Sequence, residues 1–258
     1  MGTSYPFTSA LITGASSGIG EAMARALGAA GIAQVVVARR VDKLAALAEE
    51  FSGVEVLAAD LSTSKGVAAV AARIVDPARP IDLVVNNAGF GSSGLFAELD
   101  ADRLDEEVRL NVGALTRLSR AALGVMVPRK RGFLLNVSSV VSFQPGPRLA
   151  VYAATKAYVT SLSESLHEEV RGTGVKVTAL CPGLTRTEFQ SVSSTSDLTA
   201  RMPSMLWQSA QEVAETGLRD VAHGRALSIP GAMNKSMVAA SGMTPRGIVR
   251  RFAGLVRI

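Results

Sequence analysis

Tyr152 and Lys156 stand four residues apart in Tyr152-Ala153-Ala154-Thr155-Lys156. On a helix that spacing puts both side chains on one face, so a phenol and an ammonium lie together. A free phenol titrates near ~10, too high for efficient proton transfer at neutral pH, and a nearby ammonium lowers that value. The pair is therefore a candidate general acid/base. Ser139 ends the apolar run that closes in Asn136-Val137-Ser138-Ser139, where its hydroxyl could hold a carbonyl oxygen. Taken singly, Tyr-x-x-x-Lys is more often a surface pair, so the rest of the chain has to supply its meaning.

A second set of residues suits a phosphate. Thr13-Gly14-Ala15-Ser16-Ser17-Gly18-Ile19-Gly20 follows an apolar run and opens an alanine-rich helical stretch. Glycines there let the backbone approach a pyrophosphate, and the helix start offers free N–H donors. The same residues contain Gly-x-Ser-x-Gly, the elbow of serine hydrolases, with Ser16 as nucleophile. That elbow follows several strands of its sheet, whereas Ser16 follows the first, and His167 and His223 are the only bases on offer. About twenty residues on, the second run ends Val37-Ala38-Arg39-Arg40. A carboxylate at this place suits the ribose of NAD, an arginine the 2′-phosphate of NADP. NADP(H) is the preferred expectation, with NAD(H) as the alternative and a solvated arginine pair as the bland one.

The elements that must position these groups alternate regularly. Apolar runs occur at Ser9 to Thr13, Gln34 to Ala38, Val54 to Ala59, Ile81 to Val85, Gly132 to Val137, Val175 to Leu180 and Arg225 to Ile229. Most are apolar on consecutive positions, as strands buried on both faces should be. Helical spacing fills the gaps, for example Leu104, Val108, Leu115 and Leu118, and Ser209-Ala210-Gln211-Glu212 reads as a capping box. The expected fold class is α/β, a Rossmann-type doubly wound parallel sheet with helices on both faces. No linker or repeat interrupts residues 1–258, so a single dinucleotide-binding and catalytic domain is expected, with a basic tail at 232–258.

Composition excludes other classes. With 48% hydrophobic residues in 258, a disordered chain is out, and the lone Cys181 makes an internal disulfide impossible. No signal-like start and no run near the ~20 apolar residues of a membrane span is present, so a soluble, cytoplasmic protein is expected. The net charge of +5 belongs to residues 232–258, which carry Lys235, Arg246, Arg250, Arg251 and Arg257 and no acidic residue. The neutral body gives no case for nucleic acid. In the tail, Thr244-Pro245 reads as an N-cap with proline at the first helical position. Ile248, Phe252 and Leu255 then share a face opposite Arg246, Arg250 and Arg257. Packing on the domain or a partner subunit is favoured over an anionic membrane surface for so short a stripe.

Together the motifs resemble the short-chain dehydrogenases/reductases over about residues 8 to 231. The resemblance is carried by Thr13-Gly14 to Gly20, Asp60-Leu61, Asn86-Asn87-Ala88-Gly89, Asn111, Ser139, Tyr152 to Lys156, and Pro182-Gly183 with Thr187. It implies Tyr152 as general acid, Ser139 as carbonyl holder, Lys156 as tyrosine activator and ribose ligand, and Asn111 as holder of a relay water. It further implies cofactor contacts from Gly14, Ser16, Ser17, Gly18, Ile19 and Gly20, from Arg39, Arg40, Asp60 and Leu61, and from Asn87, Ala88 and Gly89. Tyr152, Lys156, Pro182, Gly183, Thr185 and Thr187 complete that set, and no metal is implied. Asn87 has an equal alternative, an amide pinning adjacent strands. The Asn87 to Gly94 stretch is similar to a subgroup of uncharacterised reductases akin to long-chain ketoacyl and steroid reductases. The family's habits imply a homo-oligomer, dimer or tetramer. Residues 184 to 208 should cover the site, and Leu184, Phe189, Met202, Met205, Leu206 and Trp207 favour a hydrophobic small-molecule substrate. A dinucleotide-binding sensor or scaffold without turnover is the reading from another class.

Overall fold

The computed structural model describes residues 5–193 and 202–255. Its sheet is parallel throughout, in the order β3-β2-β1-β4-β5-β6-β9. The strands are β1 Ser9–Thr13, β2 Ala33–Ala38, β3 Val54–Ala58, β4 Leu83–Asn86, β5 Gly132–Val137, β6 Val175–Leu180 and β9 Leu227–Ser228. A separate short pair joins β7 Thr185–Arg186 to β8 Gln208–Ser209. The helices are α1 Gly18–Ala29, α2 Val41–Glu50, α3 Ser64–Ile74, α4 Ala101–Val108, α5 Leu115–Met126, α6 Ala150–Glu169, α7 Phe189–Val192, α8 Ala210–Ala222, α9 Ala232–Met243 and α10 Arg246–Leu255.

Consecutive apolar residues on each strand feed two cores, because successive side chains point to opposite faces. Ile12, Val36, Val85 and Leu135 meet Met23, Leu27, Leu44, Leu47, Leu218 and Val221 on one face. Leu11, Val35, Val84 and Leu134 meet Val70, Ile74, Leu118 and Met126 on the other. Strand order reverses between β1 and β4, which opens a crevice at their carboxyl ends. The doubly wound α/β expectation holds. The capping box at Ser209 and Glu212 also forms, with both reciprocal bonds present.

Two boundaries move. β4 begins at Leu83 rather than Ile81, because the Asp82 carboxylate turns to Thr8 and Arg131. β9 shrinks to two residues between Gly224, at φ +69°, and Gly231, at φ +83°.

The tail departs further from expectation. A helix, α9, precedes Thr244, and the Thr244 hydroxyl donates back to Ala240 O at 2.8 Å instead of capping forward. Pro245 is one place earlier than expected, its carbonyl accepting from Ile248 N at 2.9 Å. Ile248 is 46% exposed, so at this residue the stripe is not packed on the domain. The side chains of Phe252, Leu255 and Arg257 lie outside the described residues.

Candidate active site

The carboxyl end of β1 turns at Gly14, whose φ of +68° suits glycine and whose Cα faces the Asn87 amide. A Cβ there would sit 2.7 Å from Asn87 Nδ2. Asn87 uses that nitrogen to donate to Thr13 O at 2.9 Å and Gly14 O at 3.3 Å. The Thr13 hydroxyl accepts from Asn87 N and Ala88 N and donates to Val85 O. Asn87 is thus a strut between the ends of β1 and β4, the strand-pinning alternative. Helix α1 then starts at Gly18 with Ser17 at the N-cap making no side-chain cap bond. Its first N–H groups keep the donor capacity that a phosphate needs.

Arg39 and Arg40 diverge. Arg40 folds over the glycine turn, donating to Ser16 Oγ at 3.1 Å and Ser16 O at 3.2 Å, and pairs with Glu188 at 2.8 Å. Arg39 makes no hydrogen bond among the described residues and lies within electrostatic reach of Asp60. Burial works against the Asp60 carboxylate, but bonds from Ser62 N and Oγ and the Arg39 charge outweigh it and hold its pKa low. The Leu61 side chain is buried in the core. Ser16 has no histidine beside it: His167 bonds Val177 O and His223 bonds Arg219 O. The hydrolase geometry is absent from the described residues.

Across the crevice, α6 carries Tyr152 and Lys156, both buried, at 9% and 5% exposure. Ser139 lies within interaction range of the Tyr152 phenol and favours its ionised form. Its Oγ also accepts from Val141 N at 3.3 Å. Lys156 Nζ donates to Val137 O at 2.8 Å and stands 5.6 Å from the Tyr152 ring centroid. Asn111 occupies a π-helical turn, Arg109–Ala114, between α4 and α5. Its amide donates to Phe90 O at 2.8 Å and Thr155 Oγ1 at 3.2 Å while its oxygen accepts from Phe90 N at 3.2 Å. After β6, Pro182 O accepts from Val140 N, and Thr185 Oγ1 donates to Gly183 O. Thr187 lies against Gly18, at the start of α1.

The sequence pattern described as short chain dehydrogenase matches residues 8–197. An uncharacterized oxidoreductase of Myxococcus xanthus is 38% identical over 193 residues, 73% of this chain and 76% of that one. The chain belongs to the short-chain dehydrogenase family. It is an oxidoreductase of that family, whose fold binds NAD(P). Among solved structures, a short-chain dehydrogenase from Sphingobium yanoikuyae in complex with NADPH superposes with a TM-score of 0.80 at 32% identity, covering 92% of this chain and 96% of that one. A bulky-bulky ketone specific alcohol dehydrogenase from Comamonas testosteroni gives 0.76 at 30%, covering 93% and 95%.

Electrostatics in this short-chain dehydrogenase differ from the sequence reading at one point. Burial dominates at Tyr152 and raises its pKa; Ser139 opposes this, and Glu107 adds to it. The Lys156 ammonium is turned to Val137 O and stands 5.6 Å from the Tyr152 ring centroid. Burial also brings Lys156 down to about 8. Cys181 is a buried thiol pushed up to about 11 by the same cause, so it is an inert core residue.

Of residues 184–208, expected to cover the site, 194–201 lie outside the described residues. The Phe189 ring lies 5.4 Å from the Tyr152 ring, and Trp207 sits under the Arg186 guanidinium at 5.9 Å. Met205, by contrast, is 75% exposed. Two neighbours of the site escaped the sequence reading. Asn234 on α9 packs against Gly183 and donates to Pro230 O and Gln208 Oε1. Glu107 is buried near Lys156 and Tyr152. Its position one turn before Asn111 was the available signal, masked by Asp102, Asp105 and Glu106 around it.

Proposed function

We propose that this chain is an NADP(H)-dependent oxidoreductase interconverting a carbonyl and an alcohol on a hydrophobic small molecule, with Tyr152 as general acid/base. The observation that carries this reading is the buried Tyr152 phenol, kept protonated by its surroundings and facing Ser139. A bound nicotinamide supplies or accepts the hydride. Tyr152 gives its proton to the carbonyl oxygen during reduction, and the Ser139 hydroxyl holds that oxygen. Lys156 keeps a positive charge beside the phenol and offers donors to a ribose. Asn111 fixes Phe90 and Thr155, the backing of this centre.

The cofactor contacts we assign are the turn from Gly14 through Ser16, Ser17, Gly18 and Ile19 to Gly20, then Asp60, Leu61, Ala88, Gly89, Pro182, Gly183, Thr185 and Thr187. Asn87 serves by holding the turn. The uncapped start of α1 suits the pyrophosphate, and the free Arg39 suits a 2′-phosphate. The NADPH complex of the Sphingobium relative and the bulky-ketone preference of the Comamonas relative support cofactor and substrate class. Phe189 against Tyr152 supplies an apolar wall for such a substrate. The whole chain is read as one domain that assembles as a homo-oligomer. Among the described residues no helix is long and apolar enough to cross a membrane. The reduced, buried Cys181 suits the cytoplasm.

Tyr152→Phe tests the reading against a non-catalytic sensor. Turnover of a panel of aromatic and long-chain ketones with NADPH should fall by roughly two to four orders of magnitude. NADPH affinity, read by quenching of Trp207 fluorescence, should stay within a few-fold. Substantial residual turnover removes Tyr152 from the role, and a wild-type protein that binds NADPH but reduces nothing favours the sensor.

A further inference from the structure

Arg103 stands in the first turn of α4, where a helix N-terminus favours acidic side chains over a cation. It forms no salt bridge among the described residues, although Glu107, one turn on, is within its electrostatic reach. The acceptors it meets are main-chain carbonyls: Val192 O at 2.7 Å and Gly91 O at 3.4 Å. Its guanidinium also lies over the Phe90 ring, 4.8 Å from the centroid. A planar guanidinium can rest on a ring and donate to two carbonyls in one fixed geometry, which an ammonium does not offer.

Both carbonyls belong to segments that border the reaction centre. Gly91 follows Phe90, whose N–H and C=O are held by Asn111, and a Cβ on Gly91 would lie 3.0 Å from Tyr152 Cδ2. Val192 ends α7, which begins at Phe189, and the Phe189 ring lies 5.4 Å from the Tyr152 ring. Next along the chain, the buried Ser193 hydroxyl accepts from Gly91 N at 2.9 Å. The Phe90–Gly91 segment and the end of α7 thus meet twice, through Arg103 and through Ser193, with Tyr152 against both. α7 has only four residues, too few to hold a position by its own hydrogen bonds. Its other end is tied by Glu188 to Arg40, an exposed ion pair that contributes little. The place of Phe189 therefore depends mainly on what fastens Val192 and Ser193.

We propose that Arg103 is a positioning residue for the substrate: by fastening the end of α7 to the Phe90–Gly91 segment, it fixes the Phe189 ring as a wall beside Tyr152 and so sets which ketones are oriented there. The proposal rests on the reading of Tyr152 as acid/base. Arg103 acts through Phe189 and touches no reacting atom. A wall held in one place orients a ketone only when the ketone is large enough to rest on it. Substrates with a broad apolar flank therefore depend on Arg103, and small ketones do not.

Arg103→Met keeps an unbranched stem and removes the donors. Hydrogen exchange read by mass spectrometry should show the amides of Gly91, Val192 and Ser193 exchanging roughly tenfold faster than in the wild type. With NADPH, kcat/KM for aryl ketones should fall about ten- to a hundredfold, while the value for acetone moves less than about threefold and NADPH affinity stays within a few-fold. Ser193→Ala should shift selectivity the same way, which separates the fastening from the charge of the arginine. Arg103→Lys, which keeps the charge without the fork, should lie between wild type and Arg103→Met, and it carries the test should the methionine variant fold poorly. An equal fall for every ketone, tracking a lowered Tm, makes Arg103 a folding residue only and overturns the proposal. Unchanged exchange at Val192 and Ser193 overturns it as well. The exchange arm needs no turnover, so a wild type that reduces no ketone sinks the proposed reaction while the hold of Arg103 on α7 is still decided.

Discussion

Replacing Asn111 by alanine removes three buried hydrogen bonds at once. The amide nitrogen loses Phe90 O at 2.8 Å and Thr155 Oγ1 at 3.2 Å, and the amide oxygen loses Phe90 N at 3.2 Å. Thr155 keeps its own bond to Tyr152 O at 2.8 Å, so its loss is small. Phe90 is different: its N–H and C=O, both held by Asn111, are left unpaired in the buried loop that follows β4. Each orphaned backbone group costs about 1–3 kcal/mol, which places the variant roughly 3 kcal/mol below wild type. For a chain of this size that corresponds to a Tm lower by about 6–12 °C. Urea unfolding followed by far-UV circular dichroism, with unchanged slope, measures it. A loss under about 1 kcal/mol would refute the view that Asn111 secures the Phe90 segment. Turnover should fall in the surviving folded protein, since the segment backs Lys156 and Tyr152.

Other outcomes follow from the same geometry. Arg39→Asp should cut the preference for NADPH over NADH by roughly two orders of magnitude, one charged contact exchanged for a repulsion; a wild type that already prefers NADH contradicts it in a simple two-cofactor assay. In the wild type, kcat/KM for reduction should decline as pH rises through about 8, where Lys156 loses its proton. Tyr152 stays protonated across that window because burial raises its pKa, so a limb that disappears in Lys156→Arg identifies the lysine. Ending the chain after Gly231 removes Asn234 from Gly183, Pro230 and Gln208 and should lower Tm and weaken NADPH binding. Salt-dependent sedimentation of the full chain with anionic vesicles, alongside an equally stable truncated form, would instead assign the tail to a membrane surface.

The sequence by itself determined the strand–helix alternation, because strands buried on both faces must be apolar on consecutive positions, as Val35-Val36-Val37 are. It also determined the glycine turn and the Tyr152–Lys156 face, since both depend on local spacing: backbone freedom in one case, helical repeat in the other. The capping box at Ser209 was legible for the same reason. What only the tertiary structure decided depends on contacts far apart in the chain. The sequence put cofactor choice on Arg39 and left the part of Arg40 open; the fold takes Arg40 to Ser16 and to Glu188, 148 residues away. Asn87 carried two meanings, and only the fold shows its amide held by the backbone of Thr13 and Gly14, more than seventy positions earlier. The electrostatics of Tyr152 and Lys156 were read from their spacing with the wrong leading cause. Spacing fixes which groups are neighbours, but burial and the direction of a side chain fix their charge, and Lys156 points to Val137 O. Glu107 lay hidden for the same physical reason. Among acidic neighbours on an exposed-looking helix, nothing local marks the one carboxyl that packing turns inward.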